Sequence, residues 1–420
     1  MIAKASAPDS RLFWLTNSLW LLVGRGGSQA LGFLLTIVVA RSLGDVGLGQ
    51  FTVVLTVVFI GNVFSTFGLD TLLIRSVARD PKSAPISAVI VIQLLLSLLF
   101  IGGVWGLAPA DTLGWGMKIY SLALVPLAAT TLFNAILRAQ ERMSVYTSLQ
   151  LFSAGCRLAV IVGLLYIGAG FLTLIWGLLI CQVLEAIATG WVTLHNQLSP
   201  INFQHPTFTP LLTTFKAGLV LAGLAVFAIV YQRAAVLLLA WFGDAALTGQ
   251  FSAAMRLVDI PRMIPYALAG ALFPAMARAN YQLSIGNWQL TINRSTNRWF
   301  ALLGVGAIGL AAVCWPLANW LTQLIFGDEY GPAASTLPIL AWSLVPFVAV
   351  LYGSFVLVAI NREIKVMLAH GTALILAVVI GYFGFTEWQL PGLAAALVAT
   401  ETIHAIILLS LVRRSLHATS

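Results

Sequence analysis

Twelve long apolar runs follow one another along the chain, and they restrict its fold more than any other feature of the sequence. Each run is long enough for the roughly 20 residues that an α-helix needs to cross the hydrocarbon core of a bilayer. Because lipid offers the backbone no hydrogen-bond partners, such segments must cross as helices. Spans are predicted near residues 17–40, 47–69, 85–107, 117–138, 146–168, 171–194, 214–240, 247–274, 299–324, 334–360, 365–385 and 391–412.

The composition agrees with this reading because charged residues are scarce. Only 9% of the residues are charged and 60% are hydrophobic, whereas soluble domains average about 25% charged residues. The predicted class is therefore an all-α membrane protein with about twelve transmembrane helices. The net charge is +8, and the basic residues lie mostly in short gaps between apolar runs. This distribution is typical of a membrane-topology signal, so we expect no nucleic-acid partner.

Lysine and arginine are distributed unequally between the two sides of the predicted membrane. Fifteen of them fall on one side, and only Arg41 and Lys118 fall on the other. The positive-inside rule makes the basic side cytoplasmic. We therefore expect a multi-pass protein of the cytoplasmic (inner) membrane, with both termini in the cytoplasm and no removable signal peptide.

A short motif recurs in the two halves of the chain. Residues 43–45 (Leu-Gly-Asp) lead into residues 49–51 (Gly-Gln-Phe), and residues 242–244 (Phe-Gly-Asp) lead into another Gly-Gln-Phe at 249–251. Six spans per half make this a parallel repeat, in which two pseudo-symmetric lobes leave a central cavity. The predicted domains are an N-terminal six-helix lobe (1–196), a cytoplasmic linker (197–213) and a C-terminal six-helix lobe (214–420).

Arg25 begins a polar stripe on the first span. The spacing places Ser28, Gln29, Gly32 and Thr36 on the same helix face. An arginine at the centre of a span costs about 2.5–3.5 kcal/mol unless it meets water, an anion or a carboxylate. A seam of small residues between helices would explain the stripe without the arginine, so we favour the wall of a hydrophilic cavity.

The eighth span carries Arg256, Asp259 and Arg262 beside Pro261 and Pro265. Proline removes a backbone donor and can break a helix, and broken helices near the midplane form many transporter sites. An internal Arg256–Asp259 pair at i, i+3 that only neutralises charge is the alternative. The first reading assigns Arg256 to substrate binding and Asp259 to ion or proton coupling.

Further ionisable residues lie in the other spans. Arg233 is deep in the seventh span, which favours a cavity position. Arg157 and Glu185, on neighbouring spans, are predicted to form a structural ion pair. Glu401 and His404 share a face of the last span at i, i+3. They are candidates for ion or proton coupling, and a satisfied polar contact within the bundle is the alternative.

Motifs for catalysis and metal binding are missing from the sequence. It contains no G-x-x-x-x-G-K-[ST] loop, no H-E-x-x-H and no long external loop with clustered carboxylates. Cys156, Cys181 and Cys314 lie inside apolar runs, at spacings that suit neither a metal nor a disulfide framework. We therefore expect no enzyme, no cofactor and no metal.

The motifs resemble those of a known family. Residues 40–51 (Ala-Arg-Ser-Leu-Gly-Asp-Val-Gly-Leu-Gly-Gln-Phe) resemble the opening motif of prokaryotic polysaccharide-biosynthesis flippases of the O-antigen type. Gly68 with residues 75–79, residues 326–330 and residues 391–396 resemble later motifs of that family, so the resemblance extends over essentially the whole chain. It implies a member of the multidrug/oligosaccharidyl-lipid/polysaccharide (MOP) exporter superfamily, with two six-helix lobes around a central cavity.

The resemblance also implies a function. Flippases of this type move a polyprenyl-diphosphate-linked oligosaccharide across the membrane by alternating access, for cell-surface polysaccharide or glycoconjugate synthesis. Membrane lipids and the glycosyltransferases or polymerase of the pathway would be its partners. Arg25 and Arg233 look like the cavity arginines of the family, and Gln29 and Arg256 complete the predicted substrate site. A multidrug/cation antiporter of the same superfamily and a membrane-embedded polysaccharide-assembly enzyme or scaffold are the alternatives.

Overall fold

This computed structural model describes residues 10–79, 84–195, 208–282 and 288–417, and the chain there is helical apart from short turns. No strand occurs in these ranges, so the predicted all-α class is confirmed. A short 3-10 helix (Asp328–Tyr330) accompanies thirteen α-helices in them. The α-helices are α1 (Ser10–Thr66), α2 (Leu69–Arg79), α3 (Ile86–Leu107), α4 (Thr112–Ser121), α5 (Leu124–Ala139), α6 (Met143–Tyr166), α7 (Phe171–His195), α8 (Phe208–Phe242), α9 (Ala245–Gln282), α10 (Trp288–Phe326), α11 (Gly331–Ala341), α12 (Leu344–Ala359) and α13 (Glu363–His417).

Eight helices in the described chain are long and apolar enough to cross a membrane, and two of these are double spans. The apolar parts of α1 and α13 are 48 and 53 residues long, whereas one crossing takes about 20 residues. α1 leaves helical geometry at Gly44, and α13 leaves it at Trp388 and Gln389. The bent pair α11 and α12 would be one further crossing. α9 covers the predicted eighth span.

The fourth and tenth predicted spans share one local geometry. α5 begins at Leu124 and α12 at Leu344, each after a two-residue break and each with the sequence Leu-Val-Pro in its first turn. Proline is tolerated there because the first-turn N–H groups have no partner within the helix. Both helices are followed by a residue with positive φ, Glu141 at 58° and Asn361 at 57°. These matching features lie 220 residues apart in both cases, so the repeat extends beyond the Gly-Gln-Phe motif.

The chain forms two compact units whose boundary does not follow the midpoint of the sequence. Unit 1 comprises Met1–Leu35 and Phe64–Gly218, and unit 2 comprises Thr36–Val63 and Leu219–Ser420. The boundary therefore passes through α1 twice, and residues 36–63 belong to the same unit as the C-terminal helices. The lobe boundaries drawn from the sequence stay a prediction, and most of the linker at 197–213 lies outside the described residues.

The apolar core of unit 2 lies partly between α12 and α13. Val356 and Leu357 on α12 pack with Val366 and Leu408 on α13, and all four are at most 6% exposed. Gly353 leaves room for this contact, because a Cβ there would lie 2.9 Å from Cβ of Leu408. Small residues bring membrane helices close enough for such packing where no hydrophobic driving force exists.

We expect Gly392→Ala to destabilise the protein by about 1–3 kcal/mol, the usual cost of overpacking. Gly384 and Gly392 lie on either side of the α13 kink, and a Cβ on Gly392 would overlap the carbonyl oxygen of Gly384. The measurement is the thermal unfolding midpoint in detergent. Gly306→Ala on α10 is the matched control, because no atom lies within 4 Å of a Cβ built there. Equal midpoints for the two variants would contradict the packing argument.

Candidate functional site

Arg25 and Gln29 of the polar stripe lie away from the packed face of α1 in unit 1, whereas Thr36 is buried. A Cβ on Gly24 would lie 3.0 Å from the Thr147 side chain, and the Thr147 hydroxyl donates a hydrogen bond of 3.0 Å to the Trp20 carbonyl. α1 therefore packs on α6 through this face. Arg25 and Gln29 lie roughly 100° and 140° around the helix from Gly24, and both are exposed.

Arg157 and Glu185 lie close together in unit 1. Their Nη2 and Oε2 atoms are 3.2 Å apart, and Arg157 Nη2 also donates to Ser153 Oγ at 3.1 Å. The contact to Glu185 Oε2 lacks hydrogen-bond geometry, so attraction between charges carries it. Two half-buried charges of opposite sign offset each other's cost in the membrane, and neither is left over for a ligand.

Arg233 and Arg256 in unit 2 have no carboxylate partner in the described chain. The ion pairs found there within 4.0 Å are Arg157–Glu185 and Arg262–Glu401. Arg233 lies over the ring of Phe59, with 5.4 Å from Cζ to the ring centroid. Arg256, Arg233 and Asp259 are all half-buried, and the Arg256–Asp259 pair considered from the sequence is not formed. Unit 2 therefore holds two guanidinium groups that form no ion pair in the described chain.

Arg262 is the arginine of unit 2 that is neutralised within the protein. Its Nη2 donates to both carboxylate oxygens of Glu401, at 2.9 and 3.1 Å, and to Ser343 Oγ at 2.7 Å. Its guanidinium also lies over Phe347, 4.8 Å from the ring centroid. Arg262 and Glu401 are 8% and 7% exposed, so the pair joins α9 to α13 inside the unit.

His404 lies one turn beyond Glu401 and has an unusual environment. It is fully buried and packs edge-on against Tyr231 and His370, with ring centroids 5.1 and 4.9 Å away. Neither ring nitrogen of His404 has a hydrogen-bond partner among the described residues, and the Tyr231 hydroxyl has none either. The three ring side chains thus form a polar cluster near the Arg262–Glu401 pair. Asp259, the third predicted coupling residue, forms no ion pair with Arg256 or Arg262 in the described chain.

The sequence analysis missed part of this arrangement. It did not pair Arg262 with Glu401, and it did not include Tyr231, Ser343 or His370. The i, i+3 spacing on the last span was the signal that found Glu401 and His404. The break that Pro261 and Pro265 could have caused is absent: α9 continues as one helix through both prolines.

A family comparison agrees with these features. Residues 14–280 match the sequence model described as "Polysaccharide biosynthesis protein". No curated protein sequence matches the chain at a significant level.

Solved transporter structures share the fold of the chain. An inward-facing multidrug resistance MATE transporter of the MOP superfamily is similar, with TM-score 0.76 and 15% identity over 94% of this chain and 95% of that one. A MOP superfamily transporter from Pyrococcus furiosus, described as having a binding pocket of reversed polarity, gives 0.68 and 14% over 96% and 95%. A eukaryotic MATE transporter gives 0.67 and 14% over 97% and 100%.

We expect Glu401→Gln to destabilise the protein by about 3–5 kcal/mol, because it leaves Arg262 as a buried charge without a counter-charge. The measurement is the thermal unfolding midpoint of the purified protein. The double variant Arg262→Gln with Glu401→Gln should recover part of the loss, since it removes both charges. A double variant as unstable as the sum of the two single variants would show that the two groups do not act as a pair.

Proposed function

Because the chain belongs to the polysaccharide biosynthesis protein family and has the fold of MOP-superfamily transporters, we propose that it is a flippase for a polyprenyl-diphosphate-linked oligosaccharide. It would move the headgroup from the cytoplasmic to the outer leaflet of the cytoplasmic membrane. Its partners would be the lipid-linked substrate, membrane lipids and the glycosyltransferases or polymerase of the same pathway. Both termini would lie in the cytoplasm.

The observation that supports this proposal is the presence, in apolar helices, of arginines that form no ion pair. Arg25 in unit 1, and Arg233 and Arg256 in unit 2, form no ion pair in the described chain. Arginines that served only packing would be expected to have carboxylates beside them, as Arg157 and Arg262 do. The proposal therefore assigns Arg25, Gln29, Arg233 and Arg256 to substrate binding.

The chemistry of a diphosphate fits these groups. Its negative charge must cross a slab of low dielectric constant, and cationic side chains lower the barrier for that passage. The planar guanidinium donates two parallel hydrogen bonds to phosphate oxygens and stays charged when it is partly dehydrated. The polyprenyl tail needs no such escort, since it is as apolar as the bilayer and can remain there during the movement.

A multidrug/cation antiporter is the second candidate, and the similarity to MATE transporters of known structure favours it. A pocket for cationic drugs should present carboxylates. Asp259 is a half-buried carboxylate of unit 2 that would suit this role. Two arginines without an ion pair, Arg256 and Arg233, lie on the same helix (α9) and on the preceding one (α8). The balance of charge favours an anionic substrate.

We expect Arg25→Ala and Arg233→Ala to abolish glycan export while membrane abundance stays normal. Each variant removes a group that would offset phosphate charge during the crossing. The measurement is surface polysaccharide in cells that lack the wild-type gene and express the variant. Replacement by lysine should restore export only in part, because the ammonium group lacks the planar fork of donors.

Arg413→Ala is a matched control for these variants, since Arg413 is exposed near the end of α13 and has no role in the proposed site. Normal glycan export by both Arg25→Ala and Arg233→Ala would contradict the assignment of these residues to the substrate site. Drug susceptibility of the same cells separates the two candidates. Wild-type protein that protects cells from cationic drugs, with no effect on surface glycan, would favour the antiporter.

A further inference from the structure

The two copies of the Gly-Gln-Phe motif meet in unit 2, and the glutamine of the second copy, Gln250, bridges the contact. Gln250 Nε2 donates to Asp45 Oδ2 at 2.9 Å and to the carbonyl of Glu329 at 2.8 Å, and Gln250 Oε1 accepts from Ala333 N at 3.2 Å. Gln250 is 3% exposed. We call Asp45, Gln250, Glu329 and Ala333 the Gln250 cluster. It connects residues 36–63 with α9 and with the start of α11.

The glycines of the repeat make the contact possible. A Cβ on Gly49 would overlap the carbonyl of Ala245, and a Cβ on Gly249 would overlap the carbonyl of Asp45. Each copy of the motif thus presents a glycine to the backbone of the other copy. Only a residue without a side chain permits this approach, so the repeated sequence builds a reciprocal contact between two backbones.

Other bonds around the cluster also end on backbone carbonyls. Arg41 donates to the carbonyls of Leu324 and Ile325, with 2.9 Å from Nε to the latter, and the Tyr330 hydroxyl donates to the carbonyl of Ala40 at 3.3 Å. No ion pair belongs to this contact in the described chain. Several of its polar groups lie on exposed residues, such as Arg41 and Glu329.

Hydrogen bonds of this kind can open at a small cost in free energy. Water can replace the protein partner in each of them, so opening exchanges protein–protein bonds for protein–water bonds. No ion pair of the described chain has to be broken at this contact, and Gly49 and Gly249 meet backbone carbonyls there. The buried Arg262–Glu401 pair differs on each of these points and suits a permanent contact.

If residues 36–63 separated from the C-terminal helices, unit 1 would be affected directly. This segment belongs by sequence to the first half of the chain, and both of its ends continue directly into unit 1, at Leu35 and Phe64. In this structure it groups with the C-terminal helices instead. Gly44, at φ 67° and ψ −171°, provides a non-helical joint inside it.

We propose that the Gln250 cluster is a releasable latch, which holds residues 36–63 against the C-terminal helices in one state of the transport cycle and frees them in the other. The inference rests on the proposed flippase function, since alternating access requires two states. The charge bias of the sequence assigns this end of the helices to the outside. The latch would therefore keep the outer side closed while the headgroup loads from the cytoplasm.

Accessibility of a buried position beside the latch tests the proposal. Thr248 is fully buried next to Gly249. Thr248→Cys is placed in a protein whose three native cysteines are replaced by alanine, and the rate of labelling by a water-soluble maleimide is measured in nanodiscs. We expect slow labelling in this parent. Adding Gly49→Ala should raise the rate about tenfold or more, because the closed contact has no room for the methyl group.

Gln250→Ala is the second variant, which removes the bridging bonds without adding bulk, and it decides the question if Gly49→Ala does not fold. Gly163→Ala on α6 is the control, because nothing lies within 4 Å of a Cβ built there, and it should label like the parent. Fast labelling of the parent, parental rates in folded Gly49→Ala and Gln250→Ala, or an equal rise in Gly163→Ala would each overturn the latch. No substrate takes part, so the outcome is independent of the glycan-export test.

Discussion

Inside a bilayer, no water is present to form hydrogen bonds with backbone amides or to solvate guanidinium groups. Most of this structure can be understood as a response to that constraint. The backbone meets it by folding as helices throughout the described chain. The charged side chains meet it in two ways. Arg157 and Arg262 are neutralised by carboxylates on other helices, whereas Arg25, Arg233 and Arg256 are not. The second group gives the protein its proposed affinity for an anionic headgroup.

The positions of the spans could be predicted because a segment that crosses the bilayer must be long and apolar, and hydropathy measures this directly. The run predicted at 85–107 is the helix Ile86–Leu107, and the run at 171–194 is Phe171–His195. The shapes of the spans could not be predicted in the same way. Pro261 and Pro265 do not interrupt α9, since a proline removes one backbone bond and neighbouring groups can compensate. The breaks before Leu124 and Leu344 occur at ordinary residues without glycine.

The candidate site shows where a single sequence stops being informative. Periodicity placed Glu401 and His404 on one face of the last span, because neighbours on a helix are three or four residues apart. The partner of Glu401 is Arg262, 139 residues earlier, and no local rule connects two such positions. The Gly-Gln-Phe repeat was visible, but the sequence does not say that its copies face each other. Glycine acquires that meaning only when the opposing carbonyl is located.

The long separation between Arg262 and Glu401 matters for biogenesis. A ribosome adds roughly 5–20 residues per second, so Glu401 emerges several seconds or more after Arg262. During that interval the eighth span must enter the bilayer, or wait beside the insertion machinery, with a positive charge whose counter-charge has not been synthesised. The last span therefore completes the assembly of the C-terminal helices. A chain that lacked this span would keep Arg262 as a buried charge without its carboxylate partner and would be a target for cellular proteolysis.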